Sequence, residues 1–258
     1  MGATSQAAAC YVIDVGCVAY SAAAALQDRL VGARKCGAAP NVVLLCEHPH
    51  VVTLGRNGRI SHLRAGLSHL EKMGVEFHQT NRGGDVTYHG PGQVVAYPIL
   101  RLDAIRRDVV WYVRRLEEVM IRASAAFDVE AFRAQGRTGV WTKSIGGAAE
   151  EKLGAIGVHI SRWVTSHGLA YNVSTDLSYF DLIVPCGIAD CRVTSLEKLL
   201  ARPVAMAGVS SRISAEFGRA FGLDMQPASL GDLEQWLADG ERALAARASG
   251  ELVPQGDL

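Results

Sequence analysis

Residues 138–160 read TGVWTKSIGGAAEEKLGAIGVHI. The polar, glycine-bearing stretch SIGGAAEE (144–151) lies between sheet-forming residues, which predicts a β-hairpin around a flexible turn. LGAIGVHI (153–160) and LAYNVST (169–175) follow as further strands. On the N-terminal side, the apolar positions Val109, Val113, Leu116, Met120, Ala123 and Phe127 step by four and three, which predicts an amphipathic helix capped by Asp108. Strands flanking one long helix indicate a mixed α/β domain, and no linker-like stretch cuts residues 10–200.

Further out, YVIDVG (11–16) reads as a strand, and Ser21 is the expected cap of a helix through AAAALQDRLVGARKC that stops at Gly37. NVVLLCE (41–47) and VVTLG (51–55) are short apolar runs split by Pro49, the pattern of buried strands. LSHLEKMGV (67–75) predicts a short helix ending at Gly74, and QVVAYPIL (93–100) another strand. Beyond Pro203 the composition shifts to two helical patterns, AGVSSRISAEFGRAFG and SLGDLEQWLADGERALAARA. Residues 201–258 are therefore expected to form a helical C-terminal appendage with a disordered tail.

The 258 residues carry 26 Lys+Arg and 26 Asp+Glu, and no run of like charge marks a polyanion-binding stripe. Nucleic acid is not an expected partner. No stretch of about 18 consecutive apolar residues occurs, and MGATSQAAAC lacks the make-up of a secretion signal, so neither export nor membrane spanning is expected. Six cysteines scattered through a chain this long read as reduced thiols in a cytoplasmic protein.

Three stretches could carry chemistry. Cys46, His48 and His50 of CEHPH would share a strand face, but no CxxC or fourth ligand accompanies them and Pro49 interrupts the strand. A structural role is expected, and no metal. RGGDVTYHGPGQ (82–93) matches no phosphate-binding glycine motif. It reads either as an irregular strand edge or as a site where Arg82, Thr87, Tyr88 and His89 sit beside thinly covered backbone, suited to gripping a thioester carbonyl. In LIVPCGIADC (182–191), Pro185 and Gly187 flank Cys186, which fits a nucleophile on a tight turn and a buried structural cysteine equally.

Together, RGGDVTYHGPGQ, KLGAIGVHISRWVTSHGLAYNVSTDL (152–177) and FDLIVPCG (180–187) resemble the lipoyl/octanoyl transferase family, and LCEHPHVVTLGR (45–56) is similar to its N-terminal block. The likeness spans about residues 40–200. Residues 143–151 are looser, and nothing after 203 matches a motif. The resemblance implies an α/β (α+β) fold, a mixed β-sheet flanked by helices, similar to the catalytic domain of biotin and lipoate protein ligases. It implies an acyltransferase that takes octanoyl groups from acyl carrier protein to lipoyl domains of 2-oxoacid dehydrogenase E2 subunits and the glycine cleavage H protein, with no ATP and no metal. An ATP-dependent ligase of the same fold and a non-catalytic acyl-binding protein are the alternatives.

Residue by residue, the resemblance makes Cys186 the acyl-thioester nucleophile and Lys152 its partner. Arg82, Gly83, Gly84, Asp85, Val86, Thr87, Tyr88 and His89 form the substrate-binding block. Ala155, Ile156, Gly157, Gly168, Leu169 and Ala170 line the acyl pocket. A free thiol (pKa ~8.5) and ammonium (~10.4) are poorly poised at neutral pH, and bringing them together favours thiolate. Backbone N–H groups near Gly187 and the Gly83–Gly84 turn are the expected oxyanion donors. His89 and His167 are the alternative bases. The glycines are expected to clear space for an aliphatic chain whose methylenes contribute ~0.8 kcal/mol each. Arg106, Arg107, Arg114 and Arg115 read as a solvated helix face, with docking of an acidic carrier as the competing role.

Overall fold

The computed structural model describes residues 7–147, 149–185 and 191–249. Its chain order is β1 (Ala8–Cys17), α1 (Tyr20–Cys36), β2 (Asn41–Glu47), β3 (Val51–Leu54), α2 (Leu67–Lys72), β4 (Glu76–Gln79), β5 (Val86–His89) and β6 (Gln93–Ile99). There follow α3 (Val109–Ala125), β7 (Ala131–Phe132), β8 (Val140–Lys143), β9 (Glu150–Ser161), β10 (Val164–Asn172), β11 (Arg192–Val193), α4 (Leu196–Leu200), α5 (Met206–Phe221), β12 (Leu223–Pro227) and α6 (Leu230–Ala248). The main sheet runs β12-β1-β2-β6-β10-β9-β8-β7, with β11 added to β9, and a second sheet runs β4-β3-β5. The main sheet is mixed: β12, β1 and β2 are parallel, and β2 through β7 alternate antiparallel.

The predicted hairpin forms between β8 and β9, with Gly146 and Gly147 at φ 95° and 91° where only glycine sits without strain. Asp108 caps α3 by accepting a bond from the Trp111 N–H at 2.8 Å. The buried face of α3 is Tyr112, Leu116, Val119, Met120 and Ala123, so the stripe is rotated from the predicted one and leaves Val109 46% exposed. Gly37 ends α1 in the left-handed region at φ 83°. Ser21 is not the cap of that helix. The helix starts at Tyr20, two residues before a Ser21 cap would begin it, with no side-chain cap. Burying the Tyr20 ring against His48, His78 and His89 outweighs the ~1 kcal/mol a serine cap contributes.

Pro49 separates two strands that part company, β2 entering the main sheet and β3 the small one. His48 is fully buried. It is held between the Val18 carbonyl and the Tyr97 hydroxyl, both at 2.7 Å, with the Cys46 sulfur 3.6 Å from its Nε2. His50 turns to the Tyr88 hydroxyl. Among the described residues no three His, Cys, Asp or Glu side chains converge as a metal site, and no helix is long and apolar enough to cross a membrane.

The segment after residue 200 packs on both faces of the main sheet and adds a strand to it. Val209, Ile213, Phe217 and Phe221 of α5 lie in one core with α3, and Leu223–Pro227 pairs in parallel with β1 as the sheet's edge. On the opposite face α6 seats Leu233 and Leu237 in the core beneath α1. Gly240 allows this close approach, since a Cβ there would lie 2.4 Å from that of Ala33. LDMQP alternates apolar and polar residues but is only five residues long and ends in proline, and it forms a strand by pairing with the edge of β1. Of the expected disordered tail ASGELVPQGDL (248–258), Ala248 ends α6 and Ser249 caps it, and residues 250–258 lie outside the described residues.

Candidate active site

A cavity of about 390 Å³ opens between the Arg82–His89 segment and the sheet formed by β6, β9 and β10. Its floor is the β9–β10 pair, in register as Ala155 opposite Ala170 and Gly157 opposite Gly168. Of the fourteen predicted substrate-binding residues, Arg82, Gly84, Asp85, Val86, Thr87, His89, Ala155, Ile156, Gly157, Gly168, Leu169 and Ala170 line it, as does Lys152. Gly83 and Tyr88 do not. The Gly83 N–H is spent on the Val158 carbonyl at 2.8 Å, which fastens the turn to β9. Tyr88 points into the small sheet's core, stacked on Tyr179 with ring centroids 5.1 Å apart. Strand alternation sends it to the face opposite Thr87 and His89.

The glycines earn their place for a reason other than the one expected. A Cβ on Gly168 would lie 2.1 Å from the Ala96 carbonyl oxygen of β6, and one on Gly157 2.9 Å from Arg82 Cδ. The missing side chains admit protein, so that β6 and the Arg82 turn approach closely, and the cavity is what remains above them.

Arg82 is buried and clamped: Nη2 donates to the Thr53 carbonyl at 2.7 Å and to Thr53 Oγ1 at 2.9 Å, and Nη1 donates to the Gly83 carbonyl at 3.0 Å. Asp85 holds the other end of the turn, accepting from the Val86 N–H at 2.7 Å and contacting His62 at 2.5 Å. A fixed cation thus faces the cavity beside two histidines. Burial, then the neighbouring His48, lowers the His89 pKa to about 3, although its bond to Gln93 at 2.7 Å opposes this. Burial, then the Arg82 charge, lowers that of His167 to about 4. Both imidazoles are neutral at pH 7 and are weak proton acceptors.

Lys152 is 5% exposed at the wall. Its strand is pinned on both sides, by Trp141 of β8 and Val193 of β11, and its carbonyl accepts from the Thr194 N–H at 3.0 Å. Its Nζ sits 5.4 Å from the Trp141 ring centroid, and the Arg137 guanidinium lies over the same ring at 4.1 Å. Gly139, at φ 111°, brings the 133–139 loop against the lysine, since a Cβ there would be 2.9 Å from Lys152 Cε. The fully buried Glu117 of α3 fixes that loop, accepting from the Gly139 N–H at 3.2 Å, from Arg114 at 2.7 Å and from Arg133 at 3.1 Å. Pro185 and Val193 border a small cleft together with Lys152. Cys186 and Gly187 lie outside the described residues.

Sequence reasoning missed Tyr20, Val95, Tyr97, Gly136, Arg137 and Thr138, which also line the cavity. The glycines of QGRTG (135–139) were the available signal for that loop.

The lipoyl protein ligase A/B catalytic domain model matches residues 19–218. The chain is 50% identical over 218 residues, 84% of its length and 96% of the relative's, to an octanoyltransferase of Solibacter usitatus. It is also 50% identical over 220 residues to one of Acidobacterium capsulatum, covering 82% of this chain and 89% of that one. Among solved structures, the bi-partite lipoate protein ligase of Thermoplasma acidophilum aligns with a TM-score of 0.64 at 13% identity over 93% of this chain and 92% of that one. P. falciparum LipL1 in complex with lipoate aligns at 0.66 and 11% identity over 92% and 71%. At those identities the likeness is one of fold.

Proposed function

The chain belongs to the lipoyl protein ligase A/B catalytic domain family and is an acyltransferase that moves octanoyl groups in protein lipoylation, and from that premise we propose that transfer runs through a thioester on Cys186 with Lys152 as its proton partner. The Cys186 thiolate attacks the thioester carbonyl of octanoyl-acyl carrier protein, and the carrier's sulfur leaves as the thiol with a proton from Lys152, which is left as the neutral amine. The ε-amine of a lysine on a lipoyl domain then attacks the acyl-enzyme, Lys152 takes its proton, and Cys186 leaves as thiolate from the new amide. The acyl group arrives activated, so neither ATP nor a metal takes part. The acceptors are lipoyl domains of 2-oxoacid dehydrogenase E2 subunits and the glycine cleavage H protein, in the cytoplasm.

The observation that carries this reading is the buried Lys152 at the cavity wall, beside Pro185, the residue preceding Cys186. The histidine alternatives are weakened by their own environment, since pKa values of about 3 and about 4 leave His89 and His167 little affinity for a proton. They orient the acyl group, and the backbone N–H groups near Gly187 and Gly84 stabilise the tetrahedral oxyanion. Gly83 is not among these donors, because its N–H is engaged by Val158.

Steady-state kinetics with carrier and acceptor domain varied in turn test the scheme. Parallel double-reciprocal lines without ATP, and a loss of roughly 10²-fold or more in kcat for Lys152→Met, are expected. Intersecting lines, or ATP–pyrophosphate exchange, would point to a ligase mechanism.

A further inference from the structure

Behind the cavity lies a second hollow of about 250 Å³, and Tyr20 and His167 line both. Their chemistry differs. Val95, Ala155, Leu169 and Ala170 give the first an apolar wall, whereas the second is walled by Gln27, Asp28, His78, Thr80 and Asn81, with Ala24 its one aliphatic side chain. Asn81 bonds His167 Nε2 at 2.6 Å and so fixes the partition between them.

Gln27 is 2% exposed, and its Oε1 accepts from the His167 N–H at 2.7 Å. Its Nε2 has no partner. Tyr20 is 4% exposed, and Thr80 stands beside its hydroxyl. Both residues line the second hollow, so the Gln27 amide stands there without an acceptor and the Tyr20 hydroxyl with Thr80 beside it. A ligand oxygen would relieve the amide, and a methyl group would cut it off from any acceptor.

We propose that this hollow is a subsite for the ω-end of the acyl chain, admitting medium chains that end in a hydroxyl or keto oxygen and turning away apolar chains too long for the first cavity. The inference rests on the reading that the acyl group occupies that first cavity. Chain length is then limited by the chemistry behind the partition as well as by its bulk, because an extended alkyl end would occupy polar space and leave Gln27 Nε2 unpaired.

The test compares octanoyl-, decanoyl- and 10-hydroxydecanoyl-acyl carrier protein as donors, each scored as kcat/KM relative to octanoyl within the same enzyme preparation. For the wild type, 10-hydroxydecanoyl is expected to exceed decanoyl by roughly tenfold. Tyr20→Phe and Gln27→Met are each expected to shrink that ratio toward one. Equal use of the two ten-carbon chains by the wild type, or an unchanged ratio in both variants, overturns the proposal. Ala155→Leu separates the two levels of inference by filling the first cavity. If it leaves the octanoyl-to-hexanoyl ratio unchanged, the acyl placement fails and this inference with it. A shift toward hexanoyl with no discrimination between the ten-carbon chains sinks the subsite alone.

Discussion

Replacing Glu117 by alanine tests whether a buried carboxylate on α3 holds the loop that walls Lys152. Removing one member of a buried ion pair costs ~3–5 kcal/mol when the other charge stays buried. Here the partners are Arg114 and Arg133, whose side chains are 54% and 36% exposed and can turn to water. What remains is the charge-assisted bond to the Gly139 N–H, worth ~1.5–3 kcal/mol, with a few tenths from each screened arginine pair. A loss of about 2–3 kcal/mol is expected, read by urea denaturation as a lower midpoint with an unchanged slope. Arg133→Ala, which removes screened pairs to Glu117 and Glu118 and an exposed bond to the Arg114 carbonyl, should cost less, about 1 kcal/mol. Because Gly139 lies against Lys152 Cε, Glu117→Ala should also lower kcat more than it raises KM. A stability loss below ~1 kcal/mol, or an Arg133→Ala cost equal to that of Glu117→Ala, would refute this assignment of energy to the Gly139 bond.

Gly168→Ala puts a Cβ 2.1 Å from the Ala96 oxygen and 2.6 Å from Pro98 Cδ, so strand separation should cost ~2–3 kcal/mol; an unchanged thermal midpoint would contradict this reading of the glycine. Acid should destabilise the protein through His89 and His167, whose folded pKa values of about 3 and about 4 lie below the unfolded value near ~6.5. The unfolded chain binds the extra protons, so their contribution is complete above pH ~6.5 and drains away as pH falls toward 4, by up to ~1.4 kcal/mol per pH unit for each histidine. His89→Gln should flatten that dependence, and an equally steep profile in the variant would exclude His89 as a source.

What could be read from the sequence was local. The Asp108 cap, the glycine stop at Gly37 and the SIGGAAEE hairpin are each decided within a few residues, and each is where periodicity and turn chemistry put it. What could not be read depends on partners far along the chain. Leu223–Pro227 becomes a strand because β1 offers an edge some two hundred residues earlier, and Glu117 meets Gly139 through the path of the loop. The site divides the same way. The Arg82–His89 block and the small residues of β9 and β10 were visible as motifs, and most of them meet at one cavity. The direction of Tyr88, the contributions of Tyr20 and Arg137, and the true neighbours of Gly157 and Gly168 follow from register and strand packing, which no short motif encodes.

The central claim is that the octanoyl group rests covalently on Cys186 between donor and acceptor. Intact-mass measurement after mixing the enzyme with octanoyl-acyl carrier protein, without acceptor domain, tests it most directly. The account predicts an added octanoyl mass that is absent in Cys186→Ser, retained in Cys191→Ser, and discharged on adding a lipoyl domain. An adduct that survives Cys186→Ser, or none under acid quench in an enzyme that still turns over, would contradict it.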